Sequence, residues 1–285
     1  AGFQGVEDAA YTAYDLTAVT VGSTMMLSPQ NPNTFFIVTD TQRIQLADTP
    51  NLLVGTKLYN AMFTDGYDVN TSFSGLKASG SPKYIRTLNS RYATMILPFK
   101  LSESNFRNSL TNQGVQVYKF RSRDESQGDI LLHFEQQTQT AAATAYLLVV
   151  DAPQTITVSG ASGANLTFTP EPTAIGGYSF TGTFSRYSDL TDCYVLPANS
   201  SDLVLRRCGS GAYVPAFHAY LQALLADASR PLRISFDDNA NTTSIQSVAA
   251  QDRHTEIYDL QGRHLDISQI RSGLYIKDGK IFFNK

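Results

Sequence analysis

Short apolar runs separated by turn residues dominate the pattern of the chain. Residues 115–120 alternate between apolar and polar side chains, and the apolar run 130–134 follows a charged stretch, residues 121–128. Such alternation is typical of a strand with one buried face. We therefore predict a hairpin with the charged stretch as its loop. The further strands of this block are predicted at residues 92–99, 145–150, 155–158, 166–169, 178–184 and 232–236.

Two segments of this block differ from the strand pattern. Residues 102–110 fit a short helix, with Ser102 as N-cap and Gly114 just beyond the end. The stretch after Pro215 has apolar positions that fit either a helical face or one face of a strand. Many short strands between Gly, Pro, Asn and Asp turns favour an all-β protein of antiparallel β-sandwich or jelly-roll domains.

The first third of the chain has its short apolar runs at closer spacing. We predict strands at residues 14–21, 35–38, 43–46, 52–54 and 57–63. Their crowding fits either solenoid-like rungs or one edge of a sandwich, and no exact repeat period decides between them. The predicted organisation is an N-terminal β domain (1–88), a β-sandwich domain (89–237), a polar linker (238–247) and a C-terminal β module (248–285). Asp278-Gly279 predicts a hairpin in that module.

Composition and charge exclude two classes of partner. Hydrophobic residues make up 42% of the 285 residues, enough to bury a core, while the formal net charge is -3. No basic stripe of the kind that binds nucleic acid is present. No apolar run reaches the ~18 residues of a membrane helix, and the N-terminus lacks the pattern of a signal peptide.

The two cysteines lie on opposite sides of a predicted hairpin loop. If Leu196 faces Leu205, then Cys193 faces Cys208, and a cross-strand disulfide becomes feasible in an oxidising compartment. The alternative is a pair of buried free thiols. Both alternatives stay open at this point.

The sequence contains no recognisable catalytic or cofactor motif. There is no G-x-S-x-G elbow and no phosphate-binding P-loop, and the four histidines lack the spacing of zinc ligands. Asp124, Glu125, Asp129 and Glu135 are interpreted as an exposed charged turn. We therefore predict no catalytic residues, no metal and no cofactor.

The tail resembles the ending of many secreted and surface proteins of the Bacteroidetes. Residues 256–263 (EIYDLQGR) and 273–276 (GLYI) are similar to a short type IX secretion sorting domain. Residues from about 32 onwards also resemble a recurrent β-rich module of unknown function in such proteins. The matching pieces are residues 31–34, 63–67, 92–99, 181–184 and 214–220. In that family the stretch after Pro215 is a strand, which favours a strand here.

The resemblance implies an exported chain that works outside the cell, at its surface or in the periplasm after signal-peptide removal. We expect a non-enzymatic surface or adhesion-type protein whose partner is a surface protein or glycan. The alternative is a carbohydrate-binding module for polysaccharide capture, with its tyrosines exposed in a groove. A glycoside hydrolase is the remote alternative, and it requires two facing carboxylates ~5–10 Å apart.

Overall fold

Strands predominate throughout the computed structural model, which confirms the predicted all-β class. The structure describes residues 11–21, 27–126, 129–197, 203–224, 232–237, 257–258, 264–265, 273–277 and 280–284. Contacts divide the chain into two units, Ala1–Asn241 and Thr242–Lys285. The domain boundary predicted at residue 88 falls inside the first unit and stays a prediction.

Residues 13–159 contain twelve strands and both α-helices of the described residues. The strands are β1 (Ala13–Asp15), β2 (Phe35–Ile37), β3 (Leu52–Val54), β4 (Lys57–Tyr59), β5 (Met62–Thr64), β6 (Leu76–Ala78), β7 (Lys83–Leu88), β8 (Tyr92–Ile96), β9 (Gln116–Ser126), β10 (Asp129–Gln136), β11 (Ala145–Val149) and β12 (Gln154–Ser159). The helices are α1 (Asp40–Gln45) and α2 (Glu103–Ser109), and a 3-10 turn (Thr111–Gln113) follows α2.

The remaining strands are shorter on average and end in the second unit. They are β13 (Asn165–Leu166), β14 (Thr173–Ile175), β15 (Tyr178–Gly182), β16 (Cys193–Val195), β17 (Arg206–Arg207), β18 (Ala219–Ala223), β19 (Leu232–Asp237), β20 (Ile257–Tyr258), β21 (His264–Leu265), β22 (Gly273–Lys277) and β23 (Lys280–Asn284). β18 confirms the strand that was predicted after Pro215.

The first sheet mixes parallel and antiparallel strands in the order β1-β2-β3-β4-β6-β13. β1, β2 and β3 are parallel neighbours. Buried asparagine side chains hydrogen-bond to main-chain groups at the ends of these strands and in the adjoining turns. Asn51 donates to the carbonyls of Pro32 and Met62 at 3.1 and 2.8 Å and accepts from the Met62 amide. These side chains replace ladder hydrogen bonds where the short strands end.

The structure has a helix, α1, where a strand was predicted at residues 43–46. α1 begins at Thr39, whose hydroxyl accepts from the Gln42 amide while the Gln42 side chain accepts from the Thr39 amide. This reciprocal capping box satisfies two donors at the first turn and stabilises a helix that apolar spacing alone did not reveal. The strand prediction was therefore wrong.

The strand predicted at residues 57–63 is two strands, β4 and β5. The chain turns at Asn60, which has a φ of 51°, so the extended conformation is interrupted there. The Asn60 side chain donates to the carbonyls of Ala47 and Thr49 at 2.6 and 2.9 Å. Asparagine tolerates the left-handed conformation better than other residues with a side chain, which explains the break.

Two five-stranded sheets also lie in the first unit. Their orders are β19-β10-β9-β11-β8 and β14-β15-β18-β16-β17. β9 and β10 form the predicted hairpin, but β9 extends to Ser126, so the charged loop is shorter than residues 121–128. β10 and β19 pair in parallel, which differs from a purely antiparallel arrangement. One buried cluster contains side chains of both sheets, among them Phe120, Phe134, Phe180 and Leu221.

The largest buried cluster joins the sheet β12-β7-β5 to β8 and to the residues before β18. α2 confirms the helix predicted at residues 102–110, with Ser102 as its N-cap. Gly182, at the end of β15, lies against β8: a Cβ there would come within 2.6 Å of Ile96 Cδ1. This glycine lets β8 and β15 approach closely.

The second unit consists, in its described residues, of one sheet with the order β21-β20-β22-β23. β22 pairs with β23 in antiparallel fashion, with Gly273 opposite Asn284. No helix among the residues that the structure describes has the length and apolar character needed to cross a membrane.

Replacing Gly182 with alanine tests the close approach of β15 to β8. We expect Gly182→Ala to lower the free energy of unfolding by about 2 kcal/mol, because the added methyl group displaces the Ile96 side chain. Urea unfolding would measure the loss. Gly80→Ala is the matched control, since nothing lies near a Cβ at that position. Equal stabilities of the two variants would contradict the packing argument.

Candidate functional site

A cleft of about 350 Å³ opens on the first unit. Its walls come from the β7–β8 turn, from residues 195–197 after β16, and from residues 213–219 leading into β18. Its volume is at the lower end of the ~300–1,000 Å³ that is usual for small-ligand sites. Tyr92 and Tyr213 line the cleft, and Tyr213 is 49% exposed.

Ionisable side chains from three distant segments form the floor of this cleft. Asp65 follows β5, Arg86 lies in β7, and His218 immediately precedes β18. The Asp65 carboxylate accepts from the Tyr84 hydroxyl at 2.6 Å and from His218 Nε2 at 3.0 Å. Arg86 Nε lies 3.4 Å from Asp65 Oδ2. The Arg86 side chain is only 5% exposed, so its charge depends on Asp65 for compensation.

The protonation of His218 follows from its neighbours. Its Nδ1 lies 3.5 Å from an Arg86 Nη2 group, which can only donate. Nδ1 therefore accepts, and Nε2 carries the proton that it donates to Asp65. A second Arg86 nitrogen, Nη1, donates to the Thr94 carbonyl. Arg86 Nε makes no hydrogen bond, so its attraction to Asp65 is electrostatic.

The electrostatics of this floor keep His218 neutral and Asp65 charged. Burial, reinforced by the Arg86 charge, lowers the pKa of His218. Burial alone would raise the pKa of Asp65, but His218, Arg86 and the Tyr84 hydroxyl together hold that pKa below its ordinary value. Burial and the Asp65 charge raise the pKa of Tyr84 well above its ordinary value. The floor is thus a fixed set of paired groups.

The main chain before β18 is held in a strained conformation that aims His218 at Asp65. Phe217 has a φ of 67°, which is unfavourable for a residue with a side chain, and its ring is fully buried. The Phe217 ring packs 5.1 Å from the Tyr84 ring. The His218 carbonyl accepts from the Thr183 amide at 2.9 Å, and the Ala216 carbonyl accepts from Gly66 at 3.2 Å. These contacts fix the loop on both sides.

The two cysteines lie beside the cleft and not in it. Tyr194 pairs with Arg207 and Val195 with Arg206, which is the register that the sequence predicted for this hairpin. Cys193 and Cys208 are free thiols in this structure. Burial and the neighbouring Cys208 raise the pKa of Cys193 to about 11. The disulfide itself stays a prediction.

The charged residues of the β9–β10 hairpin pair within the hairpin or with β19, and not across the cleft. Asp129, for example, pairs with Arg233 of β19. Glu135 pairs with Arg121 and Glu125 with Arg123. His133 lies 3.0 Å from Asp124. Among the described residues, no three His, Cys, Asp or Glu side chains gather as they would around a metal ion.

Comparison of the chain with protein-family models, curated proteins and solved structures finds no match. The functional assignment therefore depends on the geometry of the cleft.

The floor of the cleft was not predicted from the sequence. Asp65 was given no role, and His218 lay in a stretch that fitted either a helix or a strand. Arg86 lay next to the predicted domain boundary at residue 88, and no strand or helix was predicted there. A buried arginine flanked by apolar positions, as in residues 84–88, is the one local signal, because such a charge needs a partner.

The buried pair Asp65–Arg86 is expected to couple strongly. Arg86→Met should lower the free energy of unfolding by about 3 kcal/mol, because it leaves the Asp65 charge without compensation. The double variant Arg86→Met/Asp65→Asn should lose less free energy of unfolding than the two single variants added together. We expect a coupling energy of about 1–2 kcal/mol in the double-mutant cycle. The exposed pair Glu103–Arg107 is the control, with an expected coupling below ~0.5 kcal/mol. Additive effects at Asp65 and Arg86 would contradict the network.

Stability should fall in mild acid because of His218. Its lowered pKa means that the unfolded chain takes up a proton as the pH falls through the ordinary value of 6.5, while the folded protein resists. Asp65, with a pKa held below 3.8, adds stability that is lost only at lower pH. Urea unfolding between about pH 7.5 and 5 would measure the trend. His218→Gln should flatten it, and an unchanged slope in that variant would disprove the assignment.

Proposed function

We propose that this chain is an exported, non-enzymatic surface protein of adhesion type that holds its ligand in the cleft between the β7–β8 turn and the residues before β18. The observation that carries the proposal is the cleft itself, with a rigid floor of paired charges beneath two tyrosines. Sites of this form hold a ligand without rearrangement, because their polar groups are already oriented.

The state of the floor supports binding more than catalysis. Asp65 is the single carboxylate among the described residues that line the cleft. Its pKa is lowered, so it is a poor general acid, and it already accepts hydrogen bonds from Tyr84 and His218. Glycoside hydrolysis requires a second carboxylate facing the first. A binding role requires no change in the protonation or pairing of Asp65, Arg86 and His218.

Export and the finer architecture belong to the same proposal. The tail that resembles a type IX sorting domain supports export to the surface. We infer that the two five-stranded sheets form a β-sandwich, since one buried cluster contains side chains of both. The antiparallel pairing of β22 with β23 supports a C-terminal hairpin module. The cleft residues lie largely on turns and loops, where β scaffolds usually carry their binding sites.

Capture of a glycan is the second candidate, favoured by Tyr92 and Tyr213. Both rings line the cleft, and Tyr213 is exposed. Asn89 is exposed on the β7–β8 turn. Thr87 and Ser90 also line the cleft, and their hydroxyls bond to Thr155 and to the Tyr92 carbonyl. Aromatic rings with nearby hydrogen-bonding groups suit sugars, which have apolar faces and polar edges.

Blocking the cleft tests the proposed function. We expect purified protein to bind at least one member of a panel of glycans and extracellular matrix proteins. Asn89→Trp should reduce that binding at least tenfold, because the indole fills the cleft from an exposed turn position. Asn108→Trp, on the exposed side of α2, is the matched control and should bind as the unmodified protein does. Biolayer interferometry would compare the three.

Equal binding by both tryptophan variants would show that the cleft is not the site. Recovery of the chain only from the cytosol of the native organism would contradict export.

A further inference from the structure

The arginines of the first unit fall into two groups. Seven of the ten whose side chains the structure describes form ion pairs with carboxylates: Arg43, Arg86, Arg107, Arg121, Arg123, Arg207 and Arg233. Within the described residues, Arg91, Arg186 and Arg206 form none, and all three are exposed. An exposed arginine without a carboxylate partner is free to bind an anion.

Two of these three arginines are held over the tyrosines of the cleft. The Arg186 guanidinium carbon lies 3.8 Å from the centre of the Tyr213 ring. The Arg91 guanidinium carbon lies 5.5 Å from the centre of the Tyr92 ring. Cation–π contacts of this kind restrict the side chains and leave their N–H groups available for a ligand.

The third arginine is placed at the same cleft by strand register. Arg206 of β17 is directly opposite Val195 of β16, and Val195 lines the cleft. Residues directly opposite in an antiparallel pair have their side chains on the same face. Two of the arginines without carboxylate partners thus lie over rings of the cleft, and the third lies opposite a residue that lines it. The chain as a whole nevertheless carries a net charge of -3.

The carboxylates nearby do not neutralise this rim. Asp65 is paired with Arg86 in the floor. Asp68 accepts from the Arg186 main-chain amide at 2.7 Å but makes no ion pair with its guanidinium among the described residues. The floor is therefore neutral, while the rim carries positive charge.

We infer that the ligand of the cleft is an acidic saccharide, bound through carboxylate or sulfate groups by Arg91, Arg186 and Arg206. This inference depends on the proposed function, since it names the ligand class of the same cleft. Guanidinium groups bind planar or tetrahedral oxyanions with paired hydrogen bonds. Tyrosine, serine and asparagine groups between them suit the hydroxyls of sugar rings.

A protein partner fits this site less well than a saccharide. Stable protein interfaces bury about 800 Å² on each partner and contain an apolar centre. The cleft is small, concave and edged by polar groups, which suits one or two units of an oligosaccharide. An acidic peptide is therefore an alternative that the experiment must separate.

Calorimetric titration with matched probes tests the inference. The probes are trigalacturonate, its methyl ester, a heparin-derived tetrasaccharide and tetraglutamate. We expect trigalacturonate or the heparin fragment to bind at low ionic strength, and to bind more weakly as salt is added. The methyl ester, which keeps the rings and loses the charge, should bind at least tenfold more weakly than trigalacturonate if the carboxylates are recognised. Binding of the heparin fragment alone identifies sulfate as the anion.

Single substitutions assign the binding to the rim. Arg91→Gln, Arg186→Gln and Arg206→Gln should each weaken binding of the acidic probe about five- to tenfold. Arg107→Gln removes an exposed arginine from α2, outside the residues that line the cleft, and should leave binding unchanged. All four positions are on the surface, so thermal unfolding should confirm that each variant is folded.

Several outcomes would overturn the inference. If the ester binds as tightly as trigalacturonate and the arginine substitutions have no effect, the ligand is a neutral saccharide. If Asn89→Trp then abolishes binding of that saccharide, the proposed function of the cleft still holds. Binding of tetraglutamate alone would replace the saccharide with an acidic peptide. If none of the four probes binds, the acidic saccharide is rejected. The binding of Asn89→Trp and Asn108→Trp to the panel of glycans and matrix proteins would then test the proposed function separately.

Discussion

One buried guanidinium needs a negative partner, and this need fixes the positions of the chain segments around the cleft. Arg86 is almost fully buried in β7, where an uncompensated charge would cost several kcal/mol. Its partners come from the turn after β5, from β8 and from the residue before β18. Three chain segments that are far apart in sequence must therefore meet at this point. A cleft built on such a floor is preformed, because moving any wall would separate a buried charge from its partner.

The backbone strain at Phe217 is understandable as a consequence of the same constraint. A buried aromatic residue in the left-handed region is held there only when its surroundings dictate the conformation. The rings of Tyr84 and Phe184 pack on Phe217, and main-chain hydrogen bonds hold both of its neighbours. The turn presents His218 to Asp65 and also allows β18 to start in register with β15. Strain at this residue is offset by the buried network and by the aromatic core beneath it.

Local patterns in the sequence were enough to predict the class of fold but not its details. The helix after Ser102 and the hairpin of residues 115–134 follow from side chains that are neighbours along the chain. The capping box of Thr39 and Gln42 was also local, and apolar spacing concealed it. The break at Asn60 depends on carbonyls of the preceding turn, which only the folded chain brings within reach. Propensity cannot reveal such tertiary partners.

The candidate site was beyond sequence reasoning for a related reason. Asp65, Arg86 and His218 are ordinary residues in their own segments, and their chemistry arises from proximity alone. The same holds for the rim, where the Arg186 guanidinium lies over a tyrosine ring and the Arg107 guanidinium pairs with a carboxylate. Arginines without carboxylate partners that lie near one surface raise the electric potential there, even in a chain with a net charge of -3. Such a field attracts an anion before contact, and the neutral floor adds no competing charge. The position of the three unpaired arginines therefore says more about the ligand than the net charge of the protein does.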